Sequence, residues 1–175
     1  CGADAIKFQT HIFEAESLKS APKHPTFKDE SRESYFKRTA FNLEQYRLLK
    51  KYAESLGIEF LSSPFSIEAI DFLEKVGLRT FKVPSGEVSN LPYLERLAKT
   101  KKKIFLASGM SSWQELDEAV ETLKRHGSHD ITILQCTSKY PCPPEEAGLN
   151  VMMEMKIRYH VPVGLSDHTA GIGAA

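Results

Sequence analysis

RTFKVPSGEVSNLPYLERLAKTKKKIFLAS, residues 79–108, holds a strand, a helix and a second strand in one stretch. RTFKV (79–83) and KIFLAS (103–108) are short, apolar or β-branched, and bounded by turn residues, which predicts two β-strands. Between them Asn90 is a natural cap for a helix over 91–100, with Pro92 tolerated in its first turn. Parallel neighbours in a sheet need a crossover, and a helix of this length supplies one. The stretch is therefore read as one βα unit of a parallel sheet.

The same alternation runs through the rest of the chain. AIKFQ (5–9), IEFLS (58–62), ITILQC (131–136) and PVGLS (162–166) read as further strands. Leu43, Tyr46, Leu49, Ala53 and Leu56 recur at helical spacing between a cap at Asn42 and Gly57. Ile67, Ile70, Phe72 and Leu73 follow Ser66 and stop near Gly77. Ser112 with Glu115 three residues on predicts a capping box, opening a helix through Leu116, Ala119, Val120 and Leu123 to Gly127. A last helix is expected over 150–158. The polar, Pro-containing segment 17–36 reads as a surface loop, with a lid or subunit contact as the functional alternative.

No GxGxxG or P-loop follows any strand, which weakens a nucleotide-binding sheet. Polar residues stand instead at the C-terminal end of all six strands: Gln9 and Thr10, Ser62 and Ser63, Ser85 and Glu87, Ser108, Thr137 and Ser138, Ser166 and His168. A TIM (β/α)8 barrel gathers those ends at one mouth. Six strands do not close eight, so the expectation is an incomplete barrel. Residues 1–175 would be its central part, with one unit before Cys1 and one after Ala175. CGADAIKFQT at one end and GIGAA at the other read as cuts through such units.

The 175 residues carry 23 Lys plus Arg against 23 Asp plus Glu, and 41% are hydrophobic. Such a balance suits a globular domain and gives no electrostatic case for nucleic acid or an anionic membrane. No apolar run approaches the roughly 20 residues that span a bilayer. Cys1, Cys136 and Cys142 are odd in number and lack CxxC spacing, which argues for a reducing, cytoplasmic setting. Cys136 itself reads as a small buried hydrophobe.

Two lysines lie in or beside strands, Lys7 and Lys82. A buried ammonium is costly without partners, so a pair of them points to an anionic ligand or a Schiff base; the bland alternative is a snorkelling Lys on the outer face. Ser63, Ser85, Ser108, Ser138 and Ser166 supply hydroxyls for a phosphate and carboxylate cradle. His168 is the first metal candidate among the six histidines, and His11 belongs with the same mouth. His24, His126, His129 and His160 read as loop or helix-end residues. Glu87 and Tyr140 suit sugar hydroxyls, with packing beside Pro141 as the equal alternative for Tyr140. From the residues alone, the reading is a barrel enzyme acting on a small anionic substrate.

KFQTHIFEAE, FLSSPFS, FKVPSGEVSNLPYLE, LASGM, QCTSKYPCPPEE and GLSDHTAG, in this order, closely resemble the sialic acid synthase family. That resemblance implies a TIM barrel followed by a small antifreeze-like domain, absent from this chain, in a domain-swapped homodimer. It implies condensation of phosphoenolpyruvate with N-acetylmannosamine to N-acetylneuraminate and phosphate, assisted by Mn²⁺ or Mg²⁺. The metal polarises the sugar aldehyde, C3 of phosphoenolpyruvate attacks it, water adds at C2, and phosphate leaves with C–O cleavage. By motif, Lys7 and Lys82 would hold phosphoenolpyruvate with Ser63, Ser85, Ser138 and Ser166. Gln9, Glu87 and Tyr140 would contact the aminosugar, and His168 would be one of two metal-binding histidines. Ala107 stands where members commonly carry a hydroxyl, so that phosphate contact is either lost or shifted to Ser108. Ser138 stands where some bacterial members have Asn. The family's first-strand EIGxNHxG-like motif and later KHFT-like motif are absent.

Three other readings stay open on the sequence. One is legionaminate synthase or a related nonulosonate synthase. Another is a Schiff-base aldolase using Lys7 or Lys82. The last is an inactive barrel piece serving only as a scaffold.

Overall fold

The computed structural model describes residues 2–22 and 30–173. Cys1, His24 and the centre of the 17–36 segment lie outside the described residues. The chain divides into two compact units, Cys1–Arg79 and Thr80–Ala175.

The first unit runs β1 (Ala5–Thr10), α1 (Phe13–Glu16), α2 (Arg32–Thr39), α3 (Leu43–Ser55), β2 (Glu59–Pro64) and α4 (Ile67–Val76). β1 and β2 are parallel, in a register from Ala5 beside Glu59 to Thr10 beside Pro64. Side chains alternate across a strand, and here aromatic packing shows which face is which. Phe8 stacks on Phe60 at 5.0 Å and meets Tyr46 of α3 edge-on. Tyr46 donates to the Gln9 carbonyl at 3.1 Å and lies 2.8 Å from Thr10 Oγ1, which is 2.8 Å from Ser62 Oγ. Because a carbonyl only accepts, the chain of donors runs Ser62, Thr10, Tyr46, Gln9 carbonyl. Burial pushes the Tyr46 phenol up, which keeps it a neutral donor. Lys7, Gln9, Leu61 and Ser63 are left on the opposite face.

Helix starts fall where the caps predict. Asn42 and Gln45 form a reciprocal capping box at α3, and Ser66 accepts from Ala69 N at α4. Gly77 closes α4 in the left-handed conformation, which a side chain would strain. The expectation of one loop over 17–36 needs correction, because α2 begins at Arg32. No residue of α2 is buried, so it has no apolar stripe to betray it. Among its supports are local ones: Ser31 caps Ser34 N, Lys37 pairs with Glu33, and Arg38 pairs with Glu30. α1 was likewise invisible, being only one turn long.

The second unit runs β3 (Thr80–Val83), α5 (Leu91–Ala98), β4 (Lys103–Ala107), α6 (Trp113–Arg125), β5 (Ile131–Cys136), α7 (Leu149–Tyr159) and β6 (Val163–Ser166). Its four strands are parallel in chain order. Phe81, Val83, Ile104, Leu106, Ile131 and Ile133 are buried on one face, and α5 and α6 residues such as Leu94, Leu97, Leu116 and Leu123 are buried as well. Burying such side chains is worth about 1.5–3 kcal/mol each, and this layer is the unit's core. On the other face Lys82, Phe105 and Thr132 stand in one row, then Ala107, Leu134 and Gly164, then Cys136 and Ser166. The expected capping box is present, Ser112 accepting from Glu115 N and donating its backbone N–H to Glu115. Among the described residues no helix is long and apolar enough to cross a membrane.

Candidate active site

In the first unit the face away from the helices carries the candidate groups. Gln9 and Ser63 are register partners on neighbouring strands, and Lys7 lies one pleat earlier, beside Leu61. Ser63 is 1% exposed, and its hydroxyl has no hydrogen-bond partner among the described residues. A buried hydroxyl without a partner costs about 1–3 kcal/mol, and one that awaits a ligand recovers it on binding. The Lys7 side chain reaches solvent, yet desolvation still lowers its ammonium below the usual 10.5. His11 is used differently from the expectation. Its ring is sandwiched between Phe36 at 4.4 Å and Phe65 at 4.1 Å, with Nδ1 2.9 Å from Glu16.

In the second unit four segments converge. Ser85 opens a short 3-10 turn after β3, Gly109 follows β4, Cys136 ends β5, and Ser138 lies just beyond it. Ser85 Oγ donates to Cys136 Sγ at 3.5 Å, and Sγ is 4.0 Å from His168 Nδ1. The His168 Nδ1 atom lies 2.9 Å from the Thr137 carbonyl. Since that oxygen only accepts, Nδ1 carries the proton and Nε2 keeps its lone pair. Tyr140, 72% exposed, lays its ring 4.2 Å from the His168 ring. Burial first, and its electrostatic interaction with Cys136 second, hold its phenol above the usual 10.0. The backbone of the loop is tied down by Cys142 N donating to the His168 carbonyl at 2.8 Å.

Other expected residues sit apart from this gathering. Ser166 shares the strand face, in register with Cys136, and Lys82 is half-buried two rows earlier on the same face. Glu87 accepts from Asn90, the α5 cap, at 2.9 Å. Ser108 is 8% exposed and donates to Gln135 Oε1 at 3.3 Å, on the helix-facing side. Gly109 and Cys136 belong to the cluster without having been expected there. His126 and His160 cap the ends of α6 and α7, as read.

His168 suits one position in a divalent metal site, because a metal takes an imidazole nitrogen whose ring partner is fixed by a second hydrogen bond. One imidazole does not make a site. Among the described residues no three His, Cys, Asp or Glu side chains come together to hold an ion.

The sequence profile of the NeuB family matches residues 1–175. The chain belongs to the NeuB family. It is 41% identical over 180 residues to the N,N'-diacetyllegionaminic acid synthase of Campylobacter jejuni, spanning 98% of this chain and 53% of that enzyme. It is 36% identical over 177 residues to human N-acetylneuraminate-9-phosphate synthase, spanning 98% of this chain and 49% of that one. Among solved structures, the N-acetylneuraminic acid (sialic acid) synthetase of Leptospira borgpetersenii, crystallised with citrate, superposes with a TM-score of 0.83 at 29% identity. The match covers 98% of this chain and 56% of that one. The fold class is thus α/β of the TIM-barrel type, as expected from strand-end chemistry. The chain spans about half the length of the curated NeuB-family relatives it matches.

Proposed function

We propose that this chain is part of a phosphoenolpyruvate-dependent nonulosonic acid synthase. The reaction joins C3 of phosphoenolpyruvate to the aldehyde carbon of an N-acylated aminosugar, adds water at C2, and releases phosphate. The supporting observation is the gathering of Ser85 and Ser138 beside His168, two hydroxyls for an anion next to an imidazole that presents a bare nitrogen.

In this reading Lys7, Ser63, Lys82, Ser85, Ser138 and Ser166 bind phosphoenolpyruvate, the ammonium groups neutralising its charge and the hydroxyls fixing its orientation. Gln9, Glu87 and Tyr140 bind the aminosugar. The Gln9 backbone is already pinned by Tyr46, so its amide approaches the sugar from a fixed strand. Ser108 keeps its bond to Gln135 and supports the end of β4. His168 would hold a divalent cation, Mn²⁺ or Mg²⁺, through Nε2. When bound, such an ion supplies Lewis-acid polarisation of an aldehyde oxygen. Residues 1–175 are taken as the central part of the synthase barrel, and the working enzyme as a homodimer.

N-acetylmannosamine is the acceptor to which the motifs point. A legionaminate-type acceptor is the second reading, favoured by the 41% identity to a legionaminic acid synthase against 36% to the N-acetylneuraminate-9-phosphate synthase. Phosphate release from phosphoenolpyruvate, measured with each sugar in turn and with Mn²⁺ or EDTA, separates them. Release that needs metal and one of the two sugars is expected. Release without sugar, or trapping of a lysine adduct by borohydride, would defeat the proposal.

A pH dependence follows from Lys7. Its ammonium is charged below its pKa, and desolvation places that pKa below 10.5. Phosphoenolpyruvate affinity should therefore weaken as pH rises through that lowered value, earlier than an ordinary lysine would dictate. Lys7→Arg should move the alkaline limb upward, since a guanidinium stays charged. An unmoved limb in a titration of affinity against pH would assign it to another group.

A further inference from the structure

Three glycines of the second unit are crowded, each for a different reason. Gly148 has φ +71°, a conformation that a side chain would strain. Gly164 faces the Leu134 side chain at 3.0 Å from where a Cβ would sit, a hydrocarbon contact inside the sheet. Gly109 has neither constraint. Its φ is outside the left-handed region, and a Cβ there would meet three polar ends: Ser138 Oγ at 2.6 Å, Cys136 Sγ at 2.7 Å and Ser85 Oγ at 2.8 Å. Three hydrogen-bonding side chains, from the end of β5 and the turn after β3, thus converge on one point, and they do so because residue 109 lacks a side chain. Cys136 adds a second tie, accepting from Ser85 at 3.5 Å while standing 4.0 Å from His168 Nδ1.

We infer that Gly109 is a positioning residue for anion binding: having no side chain, it gives the Ser85 and Ser138 hydroxyls room to converge. The inference rests on the reading that these hydroxyls bind phosphoenolpyruvate. All three crowded atoms are ends of side chains with a single χ1, so an added methyl is accommodated by turning them to another rotamer. Gly109→Ala therefore keeps the fold and disperses the hydroxyls.

The test is calorimetric titration of phosphoenolpyruvate into the full-length enzyme and its Gly109→Ala variant, with the KM for the aminosugar and the thermal midpoint measured alongside. Gly109→Ala should weaken phosphoenolpyruvate binding about tenfold to a hundredfold, the loss of one hydrogen bond to a charged group. The aminosugar KM and thermal midpoint should stay at wild-type values. Wild-type affinity in Gly109→Ala would overturn the inference. So would a matching loss for donor and sugar with a lowered midpoint, since that marks a general structural defect. A wild-type enzyme that bound no phosphoenolpyruvate would instead bring down the synthase reading itself.

Discussion

Replacing Lys82 by alanine is expected to lower kcat/KM for phosphoenolpyruvate by about two to three orders of magnitude, the usual cost of deleting one member of a desolvated charge pair. Lys82 lies between Phe81 and Val83, both fully buried on the helix-facing side of β3. Those two neighbours hold the strand, so the Lys82 Cα is fixed and its side chain projects from the other face, in the row of Phe105 and Thr132. Alanine leaves the strand and its core contacts in place, and the loss should fall on the donor substrate. Lys82→Arg should recover part of it, because the charge is restored on a fork of different shape. Steady-state kinetics with phosphoenolpyruvate varied at saturating sugar is the measurement. Near-normal saturation by the alanine variant would remove Lys82 from the site.

His168→Ala is expected to raise the Mn²⁺ concentration needed for half-activation by more than about a hundredfold, since even an outer partner of a metal-bound imidazole is worth about ten- to a hundredfold. The Thr137 carbonyl fixes the tautomer, so the lost atom is one specific nitrogen, Nε2. His168→Phe is the sharper variant. It keeps a ring for Tyr140 to pack against and removes both nitrogens. A Mn²⁺ titration that superposes on the wild-type curve in either variant would exclude His168 as a ligand.

The βα order was legible because each strand is a short apolar run and most helices carry a cap and a buried stripe. Strand parity sets apart one of the cradle hydroxyls that the sequence grouped together. Ile104 and Leu106 face the helices, and the same parity carries Ser108 to that side and its bond with Gln135. α2 was not legible, since a helix with no buried residue has no periodic signal. The cluster around Gly109 was hidden for another reason. Ser85, Gly109, Cys136 and Ser138 are far apart in sequence and meet only through the register of three strands, which a single sequence does not print. Cys136 was read as a plain apolar residue because the run ITILQC looks like core, and it is indeed 6% exposed. Its polar role depends on what ends beside it.

α2 borrows its place from a ring stack. Phe36 is held against the His11 imidazole, whose other side rests on Phe65, and Lys37 reaches Glu14 of α1 at 2.9 Å. A helix fastened this way opens as a subglobal unit, at a free energy below that of the strands beneath it. Hydrogen exchange along α2 accordingly reads the grip of one imidazole between two phenyl rings, while exchange along β1 and β2 reads the cohesion of the unit as a whole.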